Sequence, residues 1–249
     1  MLNFAHNQAK MYRRGLVWVY QKALMIQPNM TCNAVSPMLQ RGAGYRLPLE
    51  SAFAPLDLEG GEERKVTASE IIDAINLFYE RGISPQCICF GGGYSEPLAD
   101  VDMMLEVMTA LREQRHGVPF VVQTNGLVQS DSGALTKLTG LHEMYRDAPG
   151  SDGDSKLSLW VHLAAENPPQ YTKVMEPTDT NNGFGQVCGS IVQAVEAGIK
   201  VYATASEHPD VSAKGVQQLS SSLGCSDCFV RTYHPCTLYD ILGVSDQVP

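Results

Sequence analysis

Apolar residues follow two alternating patterns along most of this chain, short continuous runs and longer stretches with helical spacing. The short runs are rich in β-branched and aromatic residues and predict strands at residues 16–20, 86–90, 118–124, 157–163, 199–205 and 228–233. The stretches between them repeat apolar residues every three or four positions and predict helices that begin near residues 67, 100, 135, 187 and 216. A connection rich in Pro and Gly, residues 27–65, separates the first strand from the first helix.

Several helices carry further signals in their sequence. Thr67 and Glu70 have the spacing of a capping box, in which the hydroxyl accepts from a backbone amide and the carboxylate reaches back. Gly82 is expected to end that helix, and Asp100 is expected to cap the next one. The apolar face of the third helix is expected to extend to Met144.

The order of these elements predicts an α/β architecture. Each connection between strands holds a helix, so neighbouring strands are expected to pair in parallel. Right-handed crossovers then place the C-terminal ends of all strands at one rim, where the loops carry function. Six units are too few for a closed eight-stranded barrel. We therefore predict one α/β domain, residues 16–249, preceded by a basic N-terminal arm, residues 1–15.

Two loop sequences carry a family resemblance. The passage Cys87-Ile-Cys-Phe-Gly-Gly-Gly-Tyr-Ser-Glu-Pro-Leu98, followed by Val121-Val-Gln-Thr-Asn-Gly126, resembles the radical SAM family. In that family a Gly-Gly-Glu-Pro turn after the second strand holds the amino group of S-adenosylmethionine, and a Thr-Asn-Gly turn closes the third strand. The resemblance implies a six-unit (βα)6 partial TIM barrel, radical SAM-like, with an N-terminal extension, and it spans residues 16–236.

The family's cluster loop is matched only in part. Three thiolates at C-x3-C-x2-C spacing hold its four-iron cluster, because iron–sulfur clusters are held almost entirely by sulfur ligands. In the segment Cys32-Asn-Ala-Val-Ser-Pro-Met-Leu39, Cys32 matches the first ligand, while Ser36 and Leu39 stand at the other two. Residues 27–49 contain no other Cys and no His. We expect no cluster here, no metal ligands and no cofactor, with Cys32 as a small buried apolar residue.

The resemblance also implies a vestigial ligand pocket. Its candidate residues are Gly91, Gly92, Gly93, Glu96, Asn125, His162 and Tyr233. Tyr94 and Ser95, inserted before Glu96, are expected to displace its carboxylate from the position of an amine ligand. The alternative is that the glycines only serve barrel geometry and that the histidine is a hydrogen-bonded structural residue.

Strand alternation predicts which residues face the barrel interior. On the fourth predicted strand Leu157, Leu159, Val161 and Leu163 share one face, which leaves Ser158, Trp160 and His162 toward the lumen. The last strand ends in Arg231-Thr-Tyr-His-Pro235, which resembles the strand ending of glycyl-radical activating enzymes. Tyr233 or His234 is therefore expected to line a pocket with Gln123 and Asn125.

The spacing of a second set of cysteines resembles that of a metal-binding site. Cys225 and Cys228 have C-x2-C spacing, and Cys236 follows. The pair lies where the sixth predicted strand begins, whereas Cys236 lies beyond that strand's end, roughly 25 Å away if the chain is extended. We therefore expect no metal site from these three residues.

Charge is distributed unevenly. Residues 1–49 carry six basic and no acidic side chains, within a net charge of −9 for the 249 residues. An acid-free, Arg-bearing N-terminus is typical of a mitochondrial address, suits an acidic protein face or RNA, or is simply a solvated tail. The acidic remainder argues against a broad nucleic-acid surface. No apolar run is long enough to span a membrane, and seven cysteines in a chain of this size favour a reducing compartment.

Together these observations predict a pseudoenzyme of the radical SAM superfamily. We expect a structural or assembly subunit of a larger, mitochondrial complex, whose partners are protein subunits, with the cytoplasm as the alternative compartment. Two alternatives stay open. One is an active S-adenosylmethionine-dependent enzyme of the activating type, with an iron–sulfur cluster held by Cys32 and unusual ligands. The other is a sensor that binds a nucleotide-like ligand in the vestigial pocket.

Overall fold

A computed structural model gives the structure of the protein. It describes residues 16–28, 32–35, 66–91, 96–114, 117–128, 133–148, 156–179 and 182–233. Within these ranges seven strands form one sheet, in the spatial order of the sequence. The strands are β1 Val17–Tyr20, β2 Ala23–Ile26, β3 Cys87–Phe90, β4 Phe120–Thr124, β5 Leu157–His162, β6 Lys200–Ser206 and β7 Asp227–Arg231. The predicted arm, residues 1–15, lies outside the described residues.

The parallel part of the sheet runs from β2 to β7, and each of these strands pairs in parallel with the next one. This confirms the six-unit partial barrel. The first strand differs from the prediction, because β1 pairs antiparallel with β2 across a turn at Gln21 and Lys22. Gln21 takes a φ of 53° there, a conformation usually signalled by Gly or Asn, so no turn residue predicted a hairpin. The strand that begins the barrel is therefore β2.

Six α-helices lie in the described part of the chain. They are α1 Ala68–Glu80, α2 Val101–Gln114, α3 Ala134–Arg146, α4 Pro168–Met175, α5 Gly183–Glu196 and α6 Ala213–Ser222. The capping box before α1 is present, with both the Thr67 and Glu70 side chains bonded as predicted. Gly82 follows the end of α1 with a φ of 80°, which suits glycine.

Three helical features differ from the sequence prediction. Asp100 does not cap α2, because it closes a 3₁₀ turn, Pro97–Asp100, that runs directly into that helix. Met144 is 51% exposed, because it lies on the outer side of α3. Helix α4 was not predicted. Its short span begins with two prolines after Asn167 and has only Tyr171 and Met175 buried, which is too little periodicity to detect.

The two faces of the sheet have different environments. Residues from alternate positions of the strands pack with the helices into one large core, which includes Leu157, Leu159 and Val161 as predicted. The opposite face, which we call the lumen face, holds a small separate cluster of Trp18, Met25 and Cys89. None of the helices among the described residues is long and apolar enough to cross a membrane.

Candidate functional site

The carboxylate of Glu96 lies at the C-terminal rim of strands β3 and β4. Although it follows the Gly-rich loop, it points inward and is only 4% exposed. Its Oε1 accepts from the Leu98 amide at 3.0 Å and from Thr124 Oγ1 at 2.6 Å, while its Oε2 accepts from the Asn125 amide at 2.8 Å. The carboxylate thus joins the loop after β3 to the end of β4.

The side chain of Asn125 continues this network toward the loop after β2. Its Nδ2 donates to Asn33 Oδ1 at 2.7 Å and to Cys32 Sγ at 3.6 Å, and its Oδ1 accepts from the Leu127 amide at 2.9 Å. Asn33 Nδ2 in turn donates to the Leu127 carbonyl at 2.6 Å. The loops after β2, β3 and β4 are therefore held together by polar side chains that bond both to one another and to the backbone.

Two glycines let these loops approach closely. A Cβ on Gly91, whose φ is 98°, would collide with the backbone carbonyl of Gln123. A Cβ on Gly126 would come within 2.6 Å of Val187 and 2.9 Å of Val161. Both positions therefore need a residue without a Cβ for the strands and loops to approach this closely. Gly92 and Gly93, with Tyr94 and Ser95, lie outside the described residues.

Burial changes the acidity of the groups at this rim. Desolvation raises the pKa of the Glu96 carboxyl, while the hydrogen bonds from Thr124, Asn125 and Leu98 act in the opposite direction. Burial also raises the pKa of the Cys32 thiol, and the nearby charge of Glu96 adds to that rise. Since only a thiolate binds metal strongly, this environment favours the protonated, unreactive form of Cys32.

Helix α4 covers the same rim. The carbonyl of Met175, its last residue, accepts from the Val35 amide at 2.7 Å, and the amide of Thr178 donates to the Asn33 carbonyl at 2.9 Å. Tyr171 of α4 is fully buried, and burial together with the acidic groups Cys188, Glu96 and Cys32 raises the pKa of its hydroxyl. The loop that carries Cys32 is therefore packed under α4.

The lumen face of β5 to β7 has a different character. Trp160 lies on this face, as predicted, and stacks on Phe229 with ring centroids 5.2 Å apart and an interplanar angle of 13°. Tyr202 contacts both rings, at 5.3 Å from Trp160 and 5.9 Å from Phe229. Phe229 is 40% exposed, so these three rings, which we call the aromatic layer, remain open to solvent on one side.

His162 lies one step further along β5 and is buried. Its Nδ1 is 3.3 Å from Thr204 Oγ1 on β6. Desolvation, with a contribution from the positive charge of Arg231, lowers the pKa of His162 to about 3. The histidine is therefore neutral at physiological pH and lies within hydrogen-bonding distance of Thr204.

The remaining sequence-predicted residues lie apart from the Glu96 network. Tyr233 packs edge-on against His208, with ring centroids 5.4 Å apart, and the described contacts do not join it to Asn125. Cys225 and Cys228 lie before and within the start of β7, as expected from the sequence. His234 and Cys236 lie outside the described residues. The structure thus brings together Cys32, Glu96 and Asn125, but not the whole predicted pocket.

Sequence reasoning missed several residues that matter here. Asn33 is only a spacer position of the cluster-loop segment and Tyr171 belongs to no motif, so their roles depend on contacts between parts of the chain that are distant in sequence. For Phe229 and Arg231 the sequence carries a usable signal. The alternation that was applied to the fourth predicted strand also holds for β7, where Cys228 and Val230 pack on the helix-side core. Phe229 and Arg231 therefore lie on the lumen face.

Solved structures with the same fold come from radical SAM enzymes. The chain superposes on anSMEcpe with bound AdoMet and Kp18Cys peptide with a TM-score of 0.58 and 10% identity, covering 85% of this chain and 51% of that one. For the FeFe-hydrogenase maturase HydG from Carboxydothermus hydrogenoformans the TM-score is 0.54 at 14% identity, with 84% and 44% covered. For the radical S-adenosylmethionine methyltransferase TsrM from Kitasatospora setae it is 0.51 at 12% identity, with 88% and 36% covered.

These likenesses define the fold as a radical SAM-like partial barrel and go no further. The chain spans about half or less of the length of those structures. No family model and no curated protein matches the sequence.

The fold implies an iron–sulfur cluster at the β2 rim, which calls for three thiolates. Among the described residues of the loop after β2, Cys32 offers one thiol, whose sulfur accepts a hydrogen bond from the side-chain amide of Asn125. Ser36 and Leu39, at the other two positions, lie outside the described ranges. Among the described residues no three His, Cys, Asp or Glu side chains are grouped to hold a metal ion. This donor set does not fit a cluster held by three cysteines.

Proposed function

We propose that this chain is a catalytically degenerate radical SAM-like protein that acts as a structural or assembly subunit of a larger complex. The supporting observation concerns the β2–β4 rim, that is, the loops at the C-terminal ends of β2, β3 and β4. Its polar side chains are hydrogen-bonded to other groups of the chain. Both oxygens of Glu96 accept from donors of the chain, and the Cys32 thiol accepts from Asn125. A ligand or cluster at this rim would have to break hydrogen bonds that the fold already makes, which costs free energy.

The first test measures iron. The full-length protein is reconstituted anaerobically with iron and sulfide, beside the variant Ser36→Cys/Leu39→Cys, which restores the family's spacing. The wild type should hold no stoichiometric cluster, and the restored variant should hold more iron than the wild type. About four irons per chain in the wild type, with visible charge-transfer absorption that is lost in Cys32→Ala, would contradict the proposal.

The second test measures S-adenosylmethionine binding by titration calorimetry. Without an open iron to chelate the ligand, only stacking and a few hydrogen bonds remain, and these seldom overcome the cost of ordering a flexible molecule. We expect no binding in the micromolar range. A micromolar dissociation constant that is abolished by Gly92→Val would contradict the proposal and would favour the active enzyme or the sensor.

The assembly role rests on the argument that a fold can persist for its surfaces after its chemistry is lost. The basic arm, residues 1–15, carries Lys10, Arg13 and Arg14 beside apolar residues, a composition that suits an acidic, partly apolar protein face. We propose this arm as one docking element. Deleting residues 1–14 and measuring association with the native complex tests this role.

A further inference from the structure

The lumen face of β5 to β7 combines an open aromatic surface with buried polar groups, and neither the β2–β4 rim nor an assembly role accounts for it. Its lower level is the aromatic layer of Trp160, Tyr202 and Phe229. Most aromatic side chains on a protein surface are isolated. Here three neighbouring strands each contribute one ring to a continuous apolar patch. A flat ring can stack on such a surface at little cost in entropy.

The upper level of the same face is polar. Ser206 on β6 is directly opposite Arg231 on β7 in the ladder, so their side chains are neighbours. Ser206 is 5% exposed, and its Oγ has no hydrogen-bond partner among the described residues. A buried hydroxyl without a partner is costly, and such groups commonly mark a position where a further polar group belongs.

Arg231 places a permanent positive charge at this level. Its charge acts on both His162 of β5 and Cys89 of β3, so the guanidinium lies within electrostatic reach of residues across the lumen. The histidine beside it is neutral, so it adds no second charge. At this level the Arg231 guanidinium, the Ser206 hydroxyl and the neutral imidazole of His162, which is bonded to Thr204, border the aromatic layer. At the other end of the layer, Lys200 Nζ lies 5.9 Å from the centroid of the Tyr202 ring.

The spacing between the two levels defines the size of a fitting ligand. Phe229 and Arg231 are two residues apart on β7, and Trp160 and His162 are two apart on β5, which separates the levels by about 7 Å. We propose that the lumen of β5 to β7 binds a small planar aromatic acid, with its ring on the aromatic layer and its anionic group between Arg231 and Ser206. This site does not depend on the presence or absence of a cluster.

The chemistry of each part sets a distinct requirement on the ligand. A carboxylate can accept from both the guanidinium and the Ser206 hydroxyl, and charge-assisted bonds of this kind are stronger than neutral ones. A neutral amide of the same shape would lose the charge, and a simple carboxylate would lose the stacking. Both parts are therefore needed in one molecule.

The experiment is a calorimetric titration of the full-length protein with naphthylacetate. Two comparison ligands separate the two requirements: naphthylacetamide, which has the same shape without the charge, and acetate, which lacks the ring. We expect saturable binding of naphthylacetate, and binding at least tenfold weaker for each comparison ligand. Equal binding of the acid and the amide, or no saturable binding of naphthylacetate at millimolar concentration, would overturn the proposal.

Matched variants assign the binding to the lumen. Phe229→Ala and Arg231→Gln should each weaken naphthylacetate binding at least tenfold, while Met144→Ala and Arg146→Gln on the outer side of α3 should leave it unchanged. Ser206→Ala removes only the hydroxyl that lacks a partner, so it keeps the fold and should weaken binding severalfold even if the arginine variant does not fold. Binding that persists unchanged in Ser206→Ala and Phe229→Ala would overturn the assignment.

Discussion

The β2–β4 rim and the β5–β7 lumen belong to one sheet but differ in the hydrogen bonding of their buried polar groups. At the rim Glu96 accepts three hydrogen bonds from the chain itself, and Asn125 uses both its amide nitrogen and its oxygen. In the lumen the Ser206 hydroxyl is buried without a partner among the described residues, and Phe229 is 40% exposed.

The difference teaches that the family-like motif and the partly exposed aromatic layer lie in different parts of the sheet. Where the sequence resembles a ligand-binding loop, the residues hold the loops of the barrel together. In the lumen, the Ser206 hydroxyl lacks a partner among the described residues and Phe229 is partly exposed. Substitutions at the rim should therefore act mainly on stability, and substitutions in the lumen should act little on it.

The largest expected effect is that of Glu96→Ala. Removing this carboxylate leaves the Leu98 and Asn125 amides and the Thr124 hydroxyl without their acceptor in a buried place, which should lower the free energy of unfolding by about 3 kcal/mol. Urea denaturation measures it, with Glu106→Ala on the exposed side of α2 as the control. A loss no greater than that of the control would mean that the rim is not a structural unit.

The next effect is a dependence of stability on pH through His162. Its folded-state pKa of about 3 is below the unfolded value, so between these values the unfolded chain binds one proton more and stability falls as the pH is lowered. From pH 7 to pH 5 this contributes about 2 kcal/mol, given an unfolded pKa of about 6.5.

Urea denaturation at both pH values tests that expectation. His162→Gln should lose this contribution, whereas His208→Gln, the same change at a partly exposed histidine, should keep it. If His162→Gln shows the same pH dependence as the wild type, then His162 is not a neutral buried histidine in the folded protein. The description of the lumen's upper level as buried would then be wrong.

A smaller effect is expected from Phe229→Ala. Because the ring is 40% exposed, its removal should lower the free energy of unfolding by only about 1 kcal/mol, well below the loss for a fully buried Phe. Met144→Ala, an exposed apolar residue on α3, is the matched control and should change stability by less than about 0.5 kcal/mol. A loss as large as that of Glu96→Ala would show that the aromatic layer is part of the core.

The smallest effect on stability is expected from deleting residues 1–14. This deletion should leave the barrel's unfolding unchanged while weakening its association with the native complex, because it removes Lys10, Arg13 and Arg14. Co-purification from the native source at increasing salt measures the association. Entry of the truncated chain into the complex at the same yield and salt resistance as the full chain would refute the docking role.

Much of the fold could be predicted, because local signals agreed with one another. The strands from residue 86 onward, the Thr67–Glu70 capping box and the two faces of β5 all follow from periodicity and spacing. The failures have local reasons as well. The hairpin of β1 and β2 turns at Gln21 and Lys22 without a glycine, and α4 is too short and too weakly periodic to detect.

The sequence by itself determined the alternation of strands and helices, and so the partial barrel, because these depend on the spacing of apolar residues along the chain. Only the tertiary structure decided that Glu96 turns inward to Thr124 and Asn125, and that Trp160 meets Phe229 over Tyr202. These contacts join residues that are far apart in sequence. Their partners depend on which loops and strands meet at one rim, and no local pattern encodes that.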